Sequence, residues 1–444
     1  MATKNDLIEA QNFSRRRLLT AFVSGAPGGR ELEPAKPLRA VVVAVALTAA
    51  VILAGVFYGI IQPGLPNGWQ NNRLIVAKDT GARYVTANGV LHPVINIVSA
   101  RLLIPSSDFS VVTTSQQSLS GIKLGSSVGI VGAPDTLPAP ARLLNAGWTA
   151  CVADDGGTAV RIGGAAATAA SQAVVVTSGG NHYVIDGGRR FRVDADQTDA
   201  VLRAAGVESL DPVAVSAGWL DLFTAGTALA PIVVTNAGQP VSGSSLRIGD
   251  VVHISGNPDD QRSLVLPNGT LGELTPLAWQ LYQLGSGRED NRVVEVSPSE
   301  VAALPSAAAP VGGSDWPSSG FPTVARGERV CALLGHDAKG LPRTSLATES
   351  TARDAKAGVV VAAGRGAVVR AGGRGDQGTT LLTLVDATGT AYALPGATGE
   401  TVKRLGYTAA DVGRVDSGWI RLLKTGPALS TKAAGGDPAE AAAK

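Results

Sequence analysis

The chain has 444 residues, a formal net charge of +2, 45% hydrophobic residues, 55 glycines and two cysteines. Residues 1–39 carry seven basic and four acidic side chains, a net +3, which leaves −1 for the rest. A nucleic-acid binder would need a concentrated basic face, and this balance excludes one.

Asn5 to Gly25 reads as an amphipathic helix, with Asp6 and Glu9 in the spacing of an acidic capping box. Leu7, Ile8, Phe13, Leu18, Leu19, Phe22 and Val23 supply its apolar positions. Arg15, Arg16 and Arg17 are candidates for contact with anionic lipid or a partner helix; the plainer reading is that they only orient the segment that follows. Gly25-Ala-Pro-Gly-Gly29 then breaks the helix.

Ala40 to Ile61 holds no charged residue. At about 1.5 Å per residue it reaches ~33 Å, enough to cross a bilayer core of ~30 Å. A buried helix of a soluble domain rarely runs so long without a polar face. A cleavable signal peptide would have a shorter apolar run behind a shorter leader. The stretch is therefore expected to remain as a transmembrane anchor. Seven basic residues precede it, and only Arg73 and Lys78 fall in the twenty residues beyond. That asymmetry predicts a cytoplasmic N-terminus and an extracytoplasmic bulk from about Gln62, with Tyr58 and Trp69 marking the outer interface.

Beyond Trp69 the chain is organised by repeats. Val215-Ser-Ala-Gly-Trp219-Leu-Asp-Leu-Phe-Thr-Ala-Gly226 and Val415-Asp-Ser-Gly-Trp419-Ile-Arg-Leu-Leu-Lys-Thr-Gly426 align without a gap. Each follows a hairpin pattern, Val174 to Ile185 and Leu382 to Leu394, with alternating apolar residues around a glycine-bearing turn. Weaker copies open at Leu74 and Val251, and short helices are expected at 95–103, 198–205, 275–284 and 398–405. The unit reads as hairpin, helix, strand, and is too small to bury much surface alone. Trp219 and Trp419 are its candidate core residues. The predicted division is repeat 1 at 62–138, repeat 2 at 173–231, repeat 3 at 232–312 and repeat 4 at 376–429.

Segments 139–172 and 313–375 match no copy, and each contains one cysteine, Cys151 and Cys331. If they pair into one discontinuous central β-domain the cysteines meet, with Trp148 and Trp316 in its core. Outside the cytoplasm a disulfide is permitted and worth ~5 kcal/mol in the chain-entropy model; two free buried thiols are the alternative. Residues 430–444 read as a disordered tail. The overall class is α+β, mainly β.

Catalytic motifs are scarce. There is no GK[ST] and so no P-loop; the glycine-rich run from Gly364 to Gly378 reads as loops of a β-domain, and its Arg374-Gly-Asp376 tripeptide carries no weight. Gly125-Ser-Ser127-Val-Gly129 has GxSxG spacing, but Ala133-Pro134 follows where a nucleophile elbow needs a long helix. Asp154-Asp155 and Asp259-Asp260 read as turns, and His92, His182, His253 and His336 lack metal-ligand spacing. No catalytic, cofactor or metal residue is predicted.

One ordered set of residues does carry a resemblance: Ser14-Arg-Arg-Arg-Leu-Leu19; the apolar span; Leu91-His-Pro-Val94-Ile-Asn96 with Ser99-Ala-Arg-Leu-Leu103; Val128-Gly-Ile-Val-Gly-Ala-Pro-Asp135; Trp148 with Cys151; and Cys331. Across essentially its whole length the chain resembles EccB, the single-span core component of the actinobacterial type VII (ESX) secretion system. The resemblance implies four repeat modules around a central β-barrel-like domain held by the cysteine pair. It implies inner-membrane partners, namely the EccC motor ATPase, EccD and EccE, a cytoplasmic helix that contacts partners, and a homodimer through the outer domain. Some members are described as ATPases, so ATP enters by family description alone. The competing functional readings are an extracytoplasmic nucleotide hydrolase and a peptidoglycan-binding envelope anchor.

Overall fold

The computed structural model describes residues 3–24, 37–61, 65–164, 167–169, 172–288, 293–302, 304–322, 328–350, 355–373 and 380–439. They fall into two units, residues 1–65 with 114–119, and residues 66–113 with 120–444. The glycine-proline break after Ser24 and the tripeptide 374–376 lie outside the described residues.

The first unit contains α1 (Lys4–Ser24) and α2 (Pro37–Ile61). The expected Asp6–Glu9 box is replaced by one a turn earlier. Asp6 accepts from the Thr3 N–H at 2.9 Å and its hydroxyl at 2.7 Å, so Asp6 is the third residue of the helix rather than its cap. The apolar residues of α1 and Arg15, Arg16 and Arg17 are all exposed. α2 starts on Pro37, which suits a first helical turn because its missing N–H would go unpaired there anyway. Within it Leu38–Phe57 has a mean hydropathy of 2.8 and none of it is buried. The Thr48 hydroxyl donates to the Ala44 carbonyl at 2.8 Å, so this polar side chain is satisfied inside the helix.

Among the described residues the second unit is built of four small sheets and one larger one. In the first, β1 (Leu74–Ala77), β2 (Arg83–Ala87) and β3 (Val90–Pro93) form a meander, then α3 (Ile97–Leu103) crosses to β4 (Val111–Thr114), in the order β3-β2-β1-β4. Asn88 and Gly89 both hold positive φ between β2 and β3, as a two-residue primed turn requires. The chain then enters β5 (Trp148–Val152), β6 (Thr158–Ile162) and β7 (Thr168–Ala169).

The second small sheet has β8 (Val174–Ser178), β9 (Asn181–Asp186) and β10 (Arg189–Arg192), followed by α4 (Thr198–Ala204), β11 (Val213–Ala214), α5 (Ala217–Leu220) and β12 (Thr224–Ala225). Its order is β11-β8-β9-β10-β12, with both edge strands parallel to their neighbours. The third has β13 (Val251–Ile254), β14 (Arg262–Val265), β15 (Leu271–Leu274), α6 (Pro276–Leu284), β16 (Val293–Val296) and α7 (Pro298–Val301), in the order β15-β14-β13-β16. Next come β17 (Glu328–His336), β18 (Pro342–Ser350) and β19 (Gly358–Val361), which complete a six-stranded central sheet, β19-β6-β5-β17-β18-β7.

The last sheet has β20 (Ala367–Gly372), β21 (Leu381–Val385), β22 (Thr390–Leu394), α8 (Gly399–Arg404), β23 (Gly413–Asp416), α9 (Ser417–Arg421) and β24 (Lys424–Thr425), with α10 (Thr431–Ala434) behind it. Its order, β23-β20-β21-β22-β24, matches that of the second sheet. Each small sheet thus follows one path: a three-stranded meander, a helix, and a strand laid beside the first strand.

Three shared cores join these pieces. Val98 and Leu102 of α3 pack with Leu382, Tyr392, Val402 and Leu405, so the first and last sheets share one core. Phe191 and Val201 pack with Leu264, Leu277 and Leu281, joining the second and third. Trp148, Ile162, Trp219, Leu346 and Trp419 bind the second and last sheets to the central one.

Four expectations need correction. β20 pairs with β21 and β23, so the last sheet begins near Ala367 rather than at 376. Trp316 is buried with Phe321 and Val311 against the second and third sheets, and its Nε1 donates to the Thr227 carbonyl at 3.0 Å; it is no part of the central core. Among the described residues the central sheet has two edges, β19 and β7, and no ladder closes it into a barrel. The tail does not loosen at Ser430. That side chain caps α10 by accepting from the Ala433 N–H at 3.1 Å, and Ala434 is fully buried.

Candidate functional site: the stapled hub and its cleft

The tryptophans expected as repeat cores instead meet in the hub. Ser216 caps α5 through the Trp219 N–H at 3.1 Å, which aims the ring inward, where its Nε1 donates to the Ala150 carbonyl at 2.8 Å. Trp419 donates to the Thr344 hydroxyl at 3.0 Å and stands edge-on to Trp148 with centroids 6.3 Å apart. The two turns also pack on each other reciprocally. A Cβ on Gly218 would sit 3.2 Å from Leu422, and one on Gly418 would sit 3.4 Å from Leu222. The glycine before each tryptophan therefore permits the close approach of the opposite copy.

Cys151 and Cys331 are cross-strand partners on β5 and β17 and form a disulfide. Beside it lies a charged cluster that no periodicity in the sequence announces. Glu349 on β18 takes both Arg161 of β6 and Arg329 of β17, the latter at 3.2 Å, while Arg329 also reaches Asp154 at 2.5 Å. The Arg329 side chain is 5% exposed and that of Glu349 9%. Burial alone would raise the Glu349 carboxyl, but bonds from the two guanidiniums hold it below the usual range. Arg329 is likewise raised: burial would lower it, and its bonds to Asp154 and Glu349 outweigh that. The cysteines and Glu349 lie close enough to suggest metal ligands. Disulfide sulfurs are not thiolates and the carboxylate is taken by arginine, so this donor set does not suit a metal.

Glu349→Gln is expected to lower stability by about 3–5 kcal/mol, because it leaves Arg161 without an anion and Arg329 with Asp154 alone in a mostly buried site. The depressed carboxyl stabilises the fold fully above its unfolded value of 4.5 and loses that contribution as pH falls through the folded value. Melting temperatures recorded from pH 6 to pH 3 should fall for the parent and fall less for the variant. Parallel curves would contradict this assignment.

Two of the runs that carry the resemblance, Leu91 to Leu103 and Val128 to Asp135, fold into one structure. Asn96 caps α3 by accepting from the Ser99 N–H at 2.9 Å, and its Nδ2 donates to the Ile130 carbonyl at 2.7 Å. Ser99 Oγ in turn accepts from the Ile130 N–H at 2.9 Å. Gly129 holds φ +140, and a Cβ there would lie 2.5 Å from Ile95. Asn96→Ala should cost about 2 kcal/mol, since a cap is lost and a buried carbonyl loses its donor. Thermal unfolding would show it, and a loss below ~0.5 kcal/mol would contradict it. Ser127, the formal elbow serine, donates to the Pro93 carbonyl, and the His92 ring bonds the Ser126 carbonyl. His253 pairs with Glu295 at 2.8 Å and His336 bonds the Arg414 carbonyl at 2.9 Å; the histidines serve separate sheets.

A cleft of about 950 Å³ opens between the β9–β10 turn, the start of β18 and the ends of β20 and β23. Gly188 lies flush on β18, where a Cβ would come 2.6 Å from the Thr344 carbonyl oxygen.

These features define a protein with, among the described residues, one helix long and apolar enough to cross a membrane, and a disulfide-stapled hub carrying small β-modules. The chain belongs to the type VII secretion family described as "Type VII secretion system ESX-1, transport TM domain B", whose model matches residues 1–437. Among curated relatives it is 29% identical over 303 residues to the "ESX-5 secretion system ATPase EccB5" of Mycobacterium tuberculosis (strain ATCC 25618 / H37Rv), covering 62% of this chain and 58% of that one. It is 32% identical over 308 residues to the Mycobacterium marinum protein of the same name, again over 62% and 58%. The matched region is thus under two thirds of these relatives' length. Its fold is similar to a chain of an intact ESX-5 inner membrane complex, with TM-score 0.65, 23% identity, and 98% and 95% of the two chains covered. It is also similar to the EccB3 dimer of the ESX-3 core complex, with TM-score 0.65, 24% identity, and coverage of 81% and 99%.

Proposed function

We propose that this chain is a single-span structural subunit of a type VII secretion membrane complex. The observation that carries the reading is the family match along residues 1–437, over a chain whose only membrane-crossing candidate among the described residues precedes the stapled hub. In this reading α1 is cytoplasmic and meets partners or lipid through Arg15, Arg16 and Arg17. The hub and modules lie outside the plasma membrane and pair with a second copy. The four small sheets are copies of one unit, since they share a strand path and two share the Gly-Trp turn. The partners are an EccC-like motor ATPase and EccD- and EccE-like membrane proteins. Full-length protein extracted from its host in mild detergent should co-migrate with them, and migration alone would defeat the reading.

A second reading, nucleotide hydrolysis, draws on the word ATPase in the relatives' names. Turnover by the purified chain above a heat-treated control would support it, and its absence would remove it. Retention on purified cell wall would instead favour the envelope-anchor alternative.

A further inference from the structure

The cleft carries a charge arrangement that the hub does not need. Arg370 on β20 and Arg414 on β23 are register partners on neighbouring parallel strands. Their side chains therefore share one face of the sheet, next to each other, with like charge. Among the described residues neither makes an ion pair or side-chain hydrogen bond. Arg343, at the start of β18, lines the cleft with them, and Arg189 adds a fourth guanidinium that is paired with Asp315 at 3.3 Å.

Among the described residues the acidic groups of the cleft are held in the fold, Asp337 also feeling the charge of Arg343. Asp337 accepts from the Lys339 and Leu341 N–H groups at 2.8 and 2.9 Å, holding the β17–β18 turn. Asp186 sits behind the β9–β10 turn, and burial raises its carboxyl. Asp416 is mostly buried at the start of α9. Adjacent guanidiniums without acids cost energy in the free protein unless an anion bridges them. Their planar forks match the oxygens of a phosphate, which two arginines can hold at once. Gly187, Gly188, Gly372 and Gly373 leave the backbone walls low, and the volume suits a ligand up to nucleotide size.

We propose that this cleft binds a phosphate ester, with Arg370 and Arg414 bridging one phosphate and Arg343 facing it across the opening. The site does not depend on the secretion reading. A free oligophosphate and a phosphodiester polymer of the envelope offer the same chemistry, so both are tested. Full-length protein in detergent is titrated with inorganic pyrophosphate, ATP and a glycerol-phosphate oligomer, in about 0.15 M salt, by calorimetry and thermal shift. At least one probe should bind saturably and raise the melting temperature. The double variant Arg370→Gln/Arg414→Gln, and separately Arg343→Gln, should weaken that binding about tenfold or more. Arg203→Gln on α4, outside the cleft, should not.

Binding of pyrophosphate and ATP alone would identify a free oligophosphate, and binding of the oligomer alone would identify the polymer. Without ligand the double variant should melt at or above the parent's temperature, because like-charge repulsion is relieved. A lower melting temperature there would make the arginines structural and overturn the proposal. So would the failure of all three probes, or binding that the variants leave unchanged.

Discussion

Trp419→Ala is expected to lower the unfolding free energy by about 3–5 kcal/mol, the range for emptying a fully buried large aromatic. The ring is completely enclosed, and it joins three elements that are distant in sequence. Its edge meets Trp148 of β5, its Nε1 bonds the Thr344 hydroxyl of β18, and its own turn packs on Leu222 of the second sheet. Truncation opens a cavity at the hub, and it also strips Thr344, itself fully buried, of its donor. Trp419→Phe should recover part of the loss by refilling volume without restoring the bond. Trp279→Ala, on the half-buried side of α6, should cost much less. Denaturant titration of the full chain reads all three. A Trp419→Ala cost below ~1.5 kcal/mol would mean that the hub does not hold the last sheet in place.

What the sequence makes legible follows from how each signal is carried. The Gly-Trp turns stand out because rare residues recur at one spacing, and short helices show through their place after each hairpin, while the caps Asn96 and Thr275 emerge only in the structure. Pairing between copies leaves no such trace. Spacing cannot show that Gly218 faces Leu422 while Gly418 faces Leu222, so the tryptophans look like separate module cores when they share one. Ala367-Val-Val-Arg-Ala371 has the composition of a buried strand in any sheet, and only its ladder to β21 assigns it to the last one. Trp316 likewise announces burial without saying in which core.

The charged cluster of the hub and the arginines of the cleft are harder still to read. Arg161, Arg329 and Glu349 in the hub, like Arg370 and Arg414 in the cleft, are isolated or terminal charges of strands, and alternation marks each merely as facing outward. They meet through pairings that span as many as 188 residues, Arg161 to Glu349. The alanine- and glycine-rich end reads as disorder because composition cannot register that Leu429 and Ala434 are buried on either side of a serine cap.

Cys151→Ser should cost about 2–5 kcal/mol, the range for removing a native disulfide, with the chain-entropy model giving about 5 for a link across 180 residues. The size follows from what the bond encloses. The second and third sheets, with their shared core, all lie between the two cysteines, so the link ties the ends of a long excursion to adjacent strands of one sheet. Opening it leaves the native ladder between β5 and β17 in place but lets the unfolded chain explore a much larger loop. The oxidised parent should show no titratable thiol even when denatured, and the variant one. Reduction of the parent should reproduce the variant's melting temperature, because the same closure is lost. The sulfurs are fully buried, so reductant should act only as fast as the hub opens, and mild denaturant should speed it. If native protein is reduced as quickly as a small exposed disulfide, or if reduction leaves the melting temperature where it was, the bond is not what closes the hub.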